Sequence, residues 1–327
     1  MIITKTPLRM SFAGGGSDLR NFYKRHGGAV LSTTIDKYIY VNINKKFDDG
    51  IRVAYSKNEE VNKIDHLEHP LVKAALDYVG IQKGVEITTI ADIPSKGTGL
   101  GSSSSFTAGL LNALHQYNYS KVPSSQLAEE SCHIEINMCG ESIGKQDQYA
   151  AVYGGLNLIE FKKDDSVELT PVKCSDETKI KLQDNIIVFY TGINRKASKI
   201  LEKQTKDMDR KDKQDIVREM VDLTYQLFSQ LQDNDITNFG EILDQGWMLK
   251  KRINNDISNI DIDNWYERAK SSGAEGGKLM GAGAGGFLMF YAEKSKHEDI
   301  ISSLSDIQPV AMKFDNTGST IVYNDTK

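Results

Sequence analysis

Two stretches of this chain carry residue types and spacings that suit phosphate chemistry. From Pro94 to Ser105 the sequence runs Pro-Ser-Lys-Gly-Thr-Gly-Leu-Gly-Ser-Ser-Ser-Ser, and from Gly140 to Gln148 it runs Gly-Glu-Ser-Ile-Gly-Lys-Gln-Asp-Gln. In the first, Gly97, Gly99 and Gly101 lack a Cβ, so the backbone can adopt positive φ and curl its N–H groups around phosphate oxygens. The serine hydroxyls can cap a helix, donate to phosphate or coordinate Mg²⁺. A single capped helix needs only one such residue, whereas three glycines and four serines fall within nine positions. A nucleotide phosphate is the guest this implies, held by Gly97, Gly99, Leu100, Gly101, Ser102, Ser103 and Ser104. In the second stretch, Asp147 alone would read as a helix cap or a surface charge. Beside a nucleotide loop it becomes a candidate general base for a hydroxyl nucleophile. Glu135, one helix earlier, is either a solvated glutamate or a metal carboxylate. Mg²⁺ takes one or two carboxylates plus hydroxyl, water and phosphate oxygens, a set that Glu135 and Ser103 can begin.

The elements around these residues follow from periodicity. Val85–Ala91 is β-branched and half alternating, a strand; Phe106, Leu110, Leu111 and Leu114 recur at helical spacing. The serines therefore stand at a helix start, where unpaired N–H groups and the macrodipole favour an anion. Upstream, residues 1–6 read as an edge strand leading into a second glycine loop, Gly14-Gly-Gly-Ser-Asp18. Strands are expected at 29–34, 38–44 and 51–55, and helices at 70–79 and 124–138, the latter carrying Glu135. A shift to dense Lys, Asp and Glu between Cys174 and Gln183 marks the expected boundary between an N-terminal domain, 1–175, and a C-terminal domain, 176–327. From Ala197 to about residue 254 the pattern is helical, amphipathic and surface-lying.

The loop at 94–105 is not a Walker A loop, because no Gly-Lys-Ser/Thr follows its first glycine at the required spacing. Gly281, Gly283 and Gly286 satisfy G-x-G-x-x-G, but a strand follows these glycines where a dinucleotide site needs a helix. That loop could instead let two backbones approach closely and support the loop at 94–105 from behind. A nicotinamide oxidoreductase and a non-catalytic nucleotide or sugar sensor are the rival readings. The second is opposed by the joint presence of Arg9, Ser103, Glu135 and Asp147.

At 327 residues, 39% hydrophobic and 26% charged, the composition is that of a folded enzyme of two domains. A net charge of −5 gives no support to nucleic-acid binding. No apolar run approaches the roughly 20 residues of a membrane span, and the N-terminal residues lack the apolar core of a secretory signal. The expectation is a cytoplasmic protein, monomer or homodimer, with a small-molecule substrate. Three cysteines argue against a disulfide framework, and Cys132 and Cys139 suit a buried helix face better than a metal pair.

Three segments in order, Pro7–Asp18, Pro94–Ser105 and Lys278-Leu-Met-Gly-Ala-Gly-Ala-Gly-Gly-Phe287, resemble the three motifs of the GHMP kinases. The resemblance spans nearly the whole chain. It implies an α+β fold of two domains, the first like the second domain of ribosomal protein S5 and the second ferredoxin-like. It also implies ATP held by the second motif and Mg²⁺ held by a serine and a glutamate. Ser103 matches the motif serine by position; Glu135 is matched by lying on the helix before the Asp-Gln pair. In the sugar kinases of this family the aspartate of that pair is the base, which maps to Asp147, with the first-motif arginine, here Arg9, beside it. Mevalonate kinases carry lysine there, so Arg9 points to the sugar branch.

Gly-Gly-Gly-Ser-Asp stands where galactokinases have Gly-Glu-His-Thr-Asp, which disfavours a galactose pocket. With Thr191-Gly-Ile-Asn-Arg195, it is most similar to the heptose 7-phosphate kinase subfamily. This implies a sugar 1-kinase acting on D-glycero-D-manno-heptose 7-phosphate, in the synthesis of nucleotide-activated heptose for surface glycans. Gly15, Gly16, Ser17 and Asp18 would then bind the sugar. Arg195, Lys196, Arg20 and Arg25 are candidates for its distal phosphate. Fucose or arabinose 1-kinase is the alternative.

Overall fold

The computed structural model describes residues 1–94, 97–193, 202–203, 205, 207 and 209–325. Its frame is an antiparallel pair, β1 (Ile2–Ala13) and β2 (Gly28–Lys45), joined through helix α1 (Arg20–His26). The two strands expected at 29–34 and 38–44 are one. The polar Asp36-Lys37 step between them is absorbed as a bulge, where Pro7 faces Tyr38 and the next residue, Leu8, already faces Ile35.

On the far side of β2 lie β5 (Val85–Ala91), then β3 (Ile51–Ala54), parallel to it, and β4 (Asn58–Val61). The hairpin β6 (Asn157–Phe161) and β7 (Val167–Pro171) pairs with the Gly28–Ser32 end of β2. Helices α2 (Pro70–Tyr78), α3 (Ser102–Tyr117), α4 (Ser124–Cys132) and α5 (Gln146–Tyr153) cover this sheet. Their apolar faces, Leu110, Leu111 and Leu114 among them, pack on Met10, Val41 and Ile43 to form the larger core.

The second sheet comprises β8 (Ile186–Tyr190), β9 (Gly276–Leu279), β10 (Phe287–Tyr291) and the two-residue β11 (Gln308–Pro309), in the order β11-β8-β10-β9. Helices α7 (Lys211–Gln232), α8 (Phe239–Ile253), α9 (Ile260–Ser271) and α10 (His297–Ser303) accompany it, α6 (Asp176–Asp184) preceding β8. Its core gathers Phe189, Trp247, Tyr266, Leu288 and Phe290. The chain then returns to the first sheet. β12 (Phe314–Asp315) pairs with β2, and β13 (Thr320–Asn324) pairs with β1. The strand expected at an edge is thus interior, because its open row of N–H and C=O groups is completed by residues from the opposite end of the chain.

Candidate active site

Helix α3 sits close on β1 because Gly109 has no side chain: a Cβ there would lie 2.7 Å from the Thr6 hydroxyl. Thr4 donates to the Gly109 carbonyl at 2.9 Å, and Ser105 to the Pro7 carbonyl at 2.8 Å. The N–H of Arg9 donates to Leu100 O at 3.1 Å, tying the loop before α3 directly to β1. In that loop Gly97, Gly99 and Gly101 all have left-handed φ of +73°, +73° and +76°. Gly101 is the N-cap of α3 and offers no capping side chain, so no side-chain cap bond satisfies the first helical N–H groups. This cradle of amides at a helix start fits nucleotide phosphate oxygens.

The third glycine segment lies behind it. A Cβ on Gly99 would stand 2.3 Å from Met280 O, one on Gly281 2.3 Å from Gly99 Cα, and one on Gly286 2.5 Å from Thr98 O. The close approach of two backbones expected from sequence is therefore present, and it shapes the loop at Gly97–Gly101 from outside.

Arg9, 4% exposed, reaches across to the first turn of α5. Its Nε and Nη2 donate to Asp147 Oδ1 and Oδ2 at 2.7 and 2.9 Å, while Nη1 donates to Gly99 O at 2.6 Å. Gly101 leaves the Asp147 carboxylate 3.2 Å from where its Cβ would be. Loop, arginine and aspartate are in contact.

Glu135 lies on a π-helical continuation of α4, His133–Met138, and is fully buried. The single helix expected over 124–138 thus changes its winding at the residue in question, as π-bulges at functional sites do. Ser103 donates to Glu135 Oε1 at 2.5 Å and Gln148 Nε2 to Oε2 at 2.6 Å. Burial pushes the Glu135 carboxyl up to about 7, against the lowering effect of the bonds from Ser103, Ser104 and Gln148. A buried carboxylate bonded to a serine hydroxyl in the first turn of α3 fits Mg²⁺. Among the described residues no three His, Cys, Asp or Glu side chains cluster, so the phosphates themselves would complete the shell.

Asp18 is 3% exposed and accepts from Gly16 N at 3.0 Å and Gln146 N at 3.4 Å. Burial first, and the charge of Asp147 second, raise its pKa. Ser17 is buried with its hydroxyl occupied: it donates to Ala29 O at 3.0 Å and accepts from Ala29 N at 3.1 Å, which closes the loop onto β2. Gly15 and Gly16 border open space. Arg20 pairs with Asp165 and Arg25 with Asp209 on the surface. Arg195 and Lys196 lie outside the described residues.

Two models of known families match this chain, GHMP kinases N terminal domain over residues 69–155 and GHMP kinases C terminal over 227–308, together just over half of its length. The chain is a GHMP kinase. Members of this family are ATP-dependent phosphotransferases. This GHMP kinase is 28% identical to the D-glycero-alpha-D-manno-heptose 7-phosphate kinase of Campylobacter jejuni, over 97% of its own length and 96% of the relative's. It is 25% identical to the bifunctional fucokinase/GDP-fucose pyrophosphorylase of Arabidopsis thaliana, over 89% of its length and 30% of that protein. Its fold matches the crystal structure of a D-glycero-D-manno-heptose 1-phosphate kinase from Bacteroides thetaiotaomicron over the whole of both chains, with a TM-score of 0.81 at 26% identity. No helix among the described residues is long and apolar enough to cross a membrane.

The sequence reading missed Lys250 and Lys278. Both are buried, at 6% and 7% exposure, and face Arg9 electrostatically. Burial lowers Lys250 to about 8 and Lys278 well below the usual lysine range. A signal for Lys250 was present. It follows Phe239, Ile242, Leu243 and Trp247 at helical spacing, so a cation stands on the apolar face of α8.

Proposed function

We propose that this GHMP kinase is a sugar 1-kinase that transfers the γ-phosphoryl group of ATP to the anomeric hydroxyl of D-glycero-D-manno-heptose 7-phosphate, giving the 1,7-bisphosphate and ADP. The observation that carries this reading is the forked contact of Arg9 with Asp147, held against the loop carbonyl of Gly99. Asp147 accepts the proton of the anomeric hydroxyl as that oxygen forms its bond to the γ-phosphorus and the bond to the ADP oxygen breaks. Arg9 fixes the carboxylate's orientation and offsets negative charge spreading over the transferring group. The amides from Gly97 to Ser104 hold the remaining phosphate oxygens. Ser103 and Glu135 would bind Mg²⁺, which when present neutralises charge on the β- and γ-phosphates. Asp18, with the open backbone of Gly15 and Gly16 beside it, accepts from sugar hydroxyls. The likeness to the Campylobacter and Bacteroides heptose phosphate kinases supports a heptose phosphate as acceptor. The same reading makes it a cytoplasmic enzyme, monomeric or homodimeric, built of an ATP- and sugar-binding N-terminal domain and a C-terminal domain.

A second reading is a fucose or arabinose 1-kinase. It is favoured by the surface pairing of Arg20 and Arg25 with Asp165 and Asp209, which removes two candidates for a distal phosphate. The deciding experiment measures ADP release with Mg²⁺-ATP and a panel of D-glycero-D-manno-heptose 7-phosphate, mannose, galactose, L-fucose and D-arabinose. Turnover confined to the heptose phosphate supports the first reading; turnover with an unphosphorylated sugar replaces it with the second.

A further inference from the structure

Three basic side chains converge beneath the site: Arg9 from β1, Lys250 from α8 and Lys278 from β9, each less than 8% exposed. Each lysine donates to one backbone carbonyl, Lys250 to Gly281 and Lys278 to Phe12. A lysine amine has two N–H donors when neutral and three when charged, so among the described residues each keeps at least one unspent. The position of Lys250 is fixed by the glycine contact already described: Gly281 touches Gly99, whose carbonyl also accepts from Arg9. Lys250 is therefore anchored at the Gly281–Gly99 contact that Arg9 also holds, and the charges that act on it are Arg9, Lys278 and Asp18.

Arg9 is matched by Asp147. Asp18 acts on Lys250, whereas the groups that act on Lys278 are the two cations Lys250 and Arg9. Without an anion, burial therefore favours the neutral amines, and an anion joining them would favour the ammonium forms. Holding the Gly281 and Phe12 carbonyls uses one N–H of each amine and leaves the rest for a ligand.

We propose that Lys250 and Lys278 form, with Arg9, a buried seat for the oxygens of a phosphoryl group, a binding site additional to the amides of the loop at Gly97–Ser104. The seat deepens the kinase reading and rests on it. A phosphoryl group can reach it from two sources: the group in transfer, or the phosphate that the acceptor already carries.

The test is calorimetric, on the full-length chain with Mg²⁺ present, comparing wild type with Lys250→Met, Lys278→Met and Lys250→Gln. Glutamine retains a donor for the Gly281 carbonyl while removing the charge, so it separates the seat from a strut that only holds the glycine turn. The probes are ADP, ADP with aluminium fluoride as a mimic of the group in transfer, D-glycero-D-manno-heptose 7-phosphate, and the same heptose without phosphate. ADP affinity should stay within about 3-fold, since its phosphates belong to the loop amides. A loss of about 10-fold or more confined to the fluoroaluminate complex places the transferring group in the seat; the same loss confined to the phosphorylated sugar places the acceptor's phosphate there. Unchanged affinity for every probe overturns the proposal, and so does an equal loss for ADP and the other probes, the signature of a strut. Failure of wild type to bind either heptose would count against the heptose reading, while the fluoroaluminate comparison would still decide the seat.

Discussion

Arg9 and Asp147, 138 residues apart in sequence, meet as a two-point fork in which Nε and Nη2 each hold one carboxylate oxygen, at 2.7 and 2.9 Å. Such a planar pair fixes the carboxylate's direction as well as its charge. The third nitrogen of the same guanidinium donates to the glycine loop at Gly99. One side chain thus sets the position of the Asp147 carboxylate, the proposed base, relative to the glycine loop.

Replacing Asp147 by Asn keeps an acceptor for Arg9 but removes the proposed proton acceptor. Turnover should fall by about 10²–10⁴-fold, with ATP affinity measured by calorimetry close to wild type because the loop amides are untouched. Near-normal turnover would remove Asp147 from the role of base.

Ser103→Ala removes the hydroxyl that sits 2.5 Å from Glu135. The expected result is a raised Mg²⁺ requirement, with activity partly restored by excess Mg²⁺ and the fold unchanged. A variant with full rate and an unshifted Mg²⁺ titration would count against a metal role for this serine.

Glu135 offers a test in the absence of metal. Burial raises its carboxyl from 4.5 to about 7, so the folded chain holds this proton more tightly than the unfolded chain. The stabilisation is complete below about pH 4.5 and is lost as pH rises through about 7, and the full difference corresponds to about 3 kcal/mol. Glu135→Gln is neutral at every pH. In magnesium-free urea unfolding it should match wild type near pH 4 and exceed it by up to about 3 kcal/mol at pH 8. A stability gap that does not change with pH would show that the buried carboxyl is not the cause.

Gly99→Ala forces a Cβ to 2.3 Å from Met280 O at a φ of +73°. Left-handed backbone and the clash together should destabilise the chain by about 2 kcal/mol or more, and the loop should lose ATP affinity as it shifts. Gly15→Ala, with no atom within 4 Å of the new methyl, is the control and should melt with wild type. Equal melting temperatures for both variants would mean that the back-to-back contact with Gly281 does not hold the loop.

Much of this was legible in the amino-acid sequence because it is local. Glycines at 97, 99 and 101 followed by serines permit positive φ and mark a helix start wherever the segment is placed, and β5 and α3 follow from their own periodicity. The ordered recurrence of three glycine motifs reached the family, which the two matching domain models bear out. Sequence patterning also gave a close backbone approach for the turn at Gly281, since glycines that precede a strand have no other evident use.

What tertiary structure alone decided is which of these local features meet. The pairing of Ser103 with Glu135, the tie from Arg9 to Gly99 and the cover of β1 by β13 each join residues distant in the chain. So does the burial of Lys250 and Lys278 against Arg9. Hydrogen bonds and charge desolvation act over a few ångströms in space, whereas sequence patterns report only on a neighbour's place in the same helix or strand. Residue types and spacing therefore specify a glycine loop suited to phosphate and a candidate base, and the packing of α3 on β1 and of Gly281 on Gly99 brings them into one candidate site.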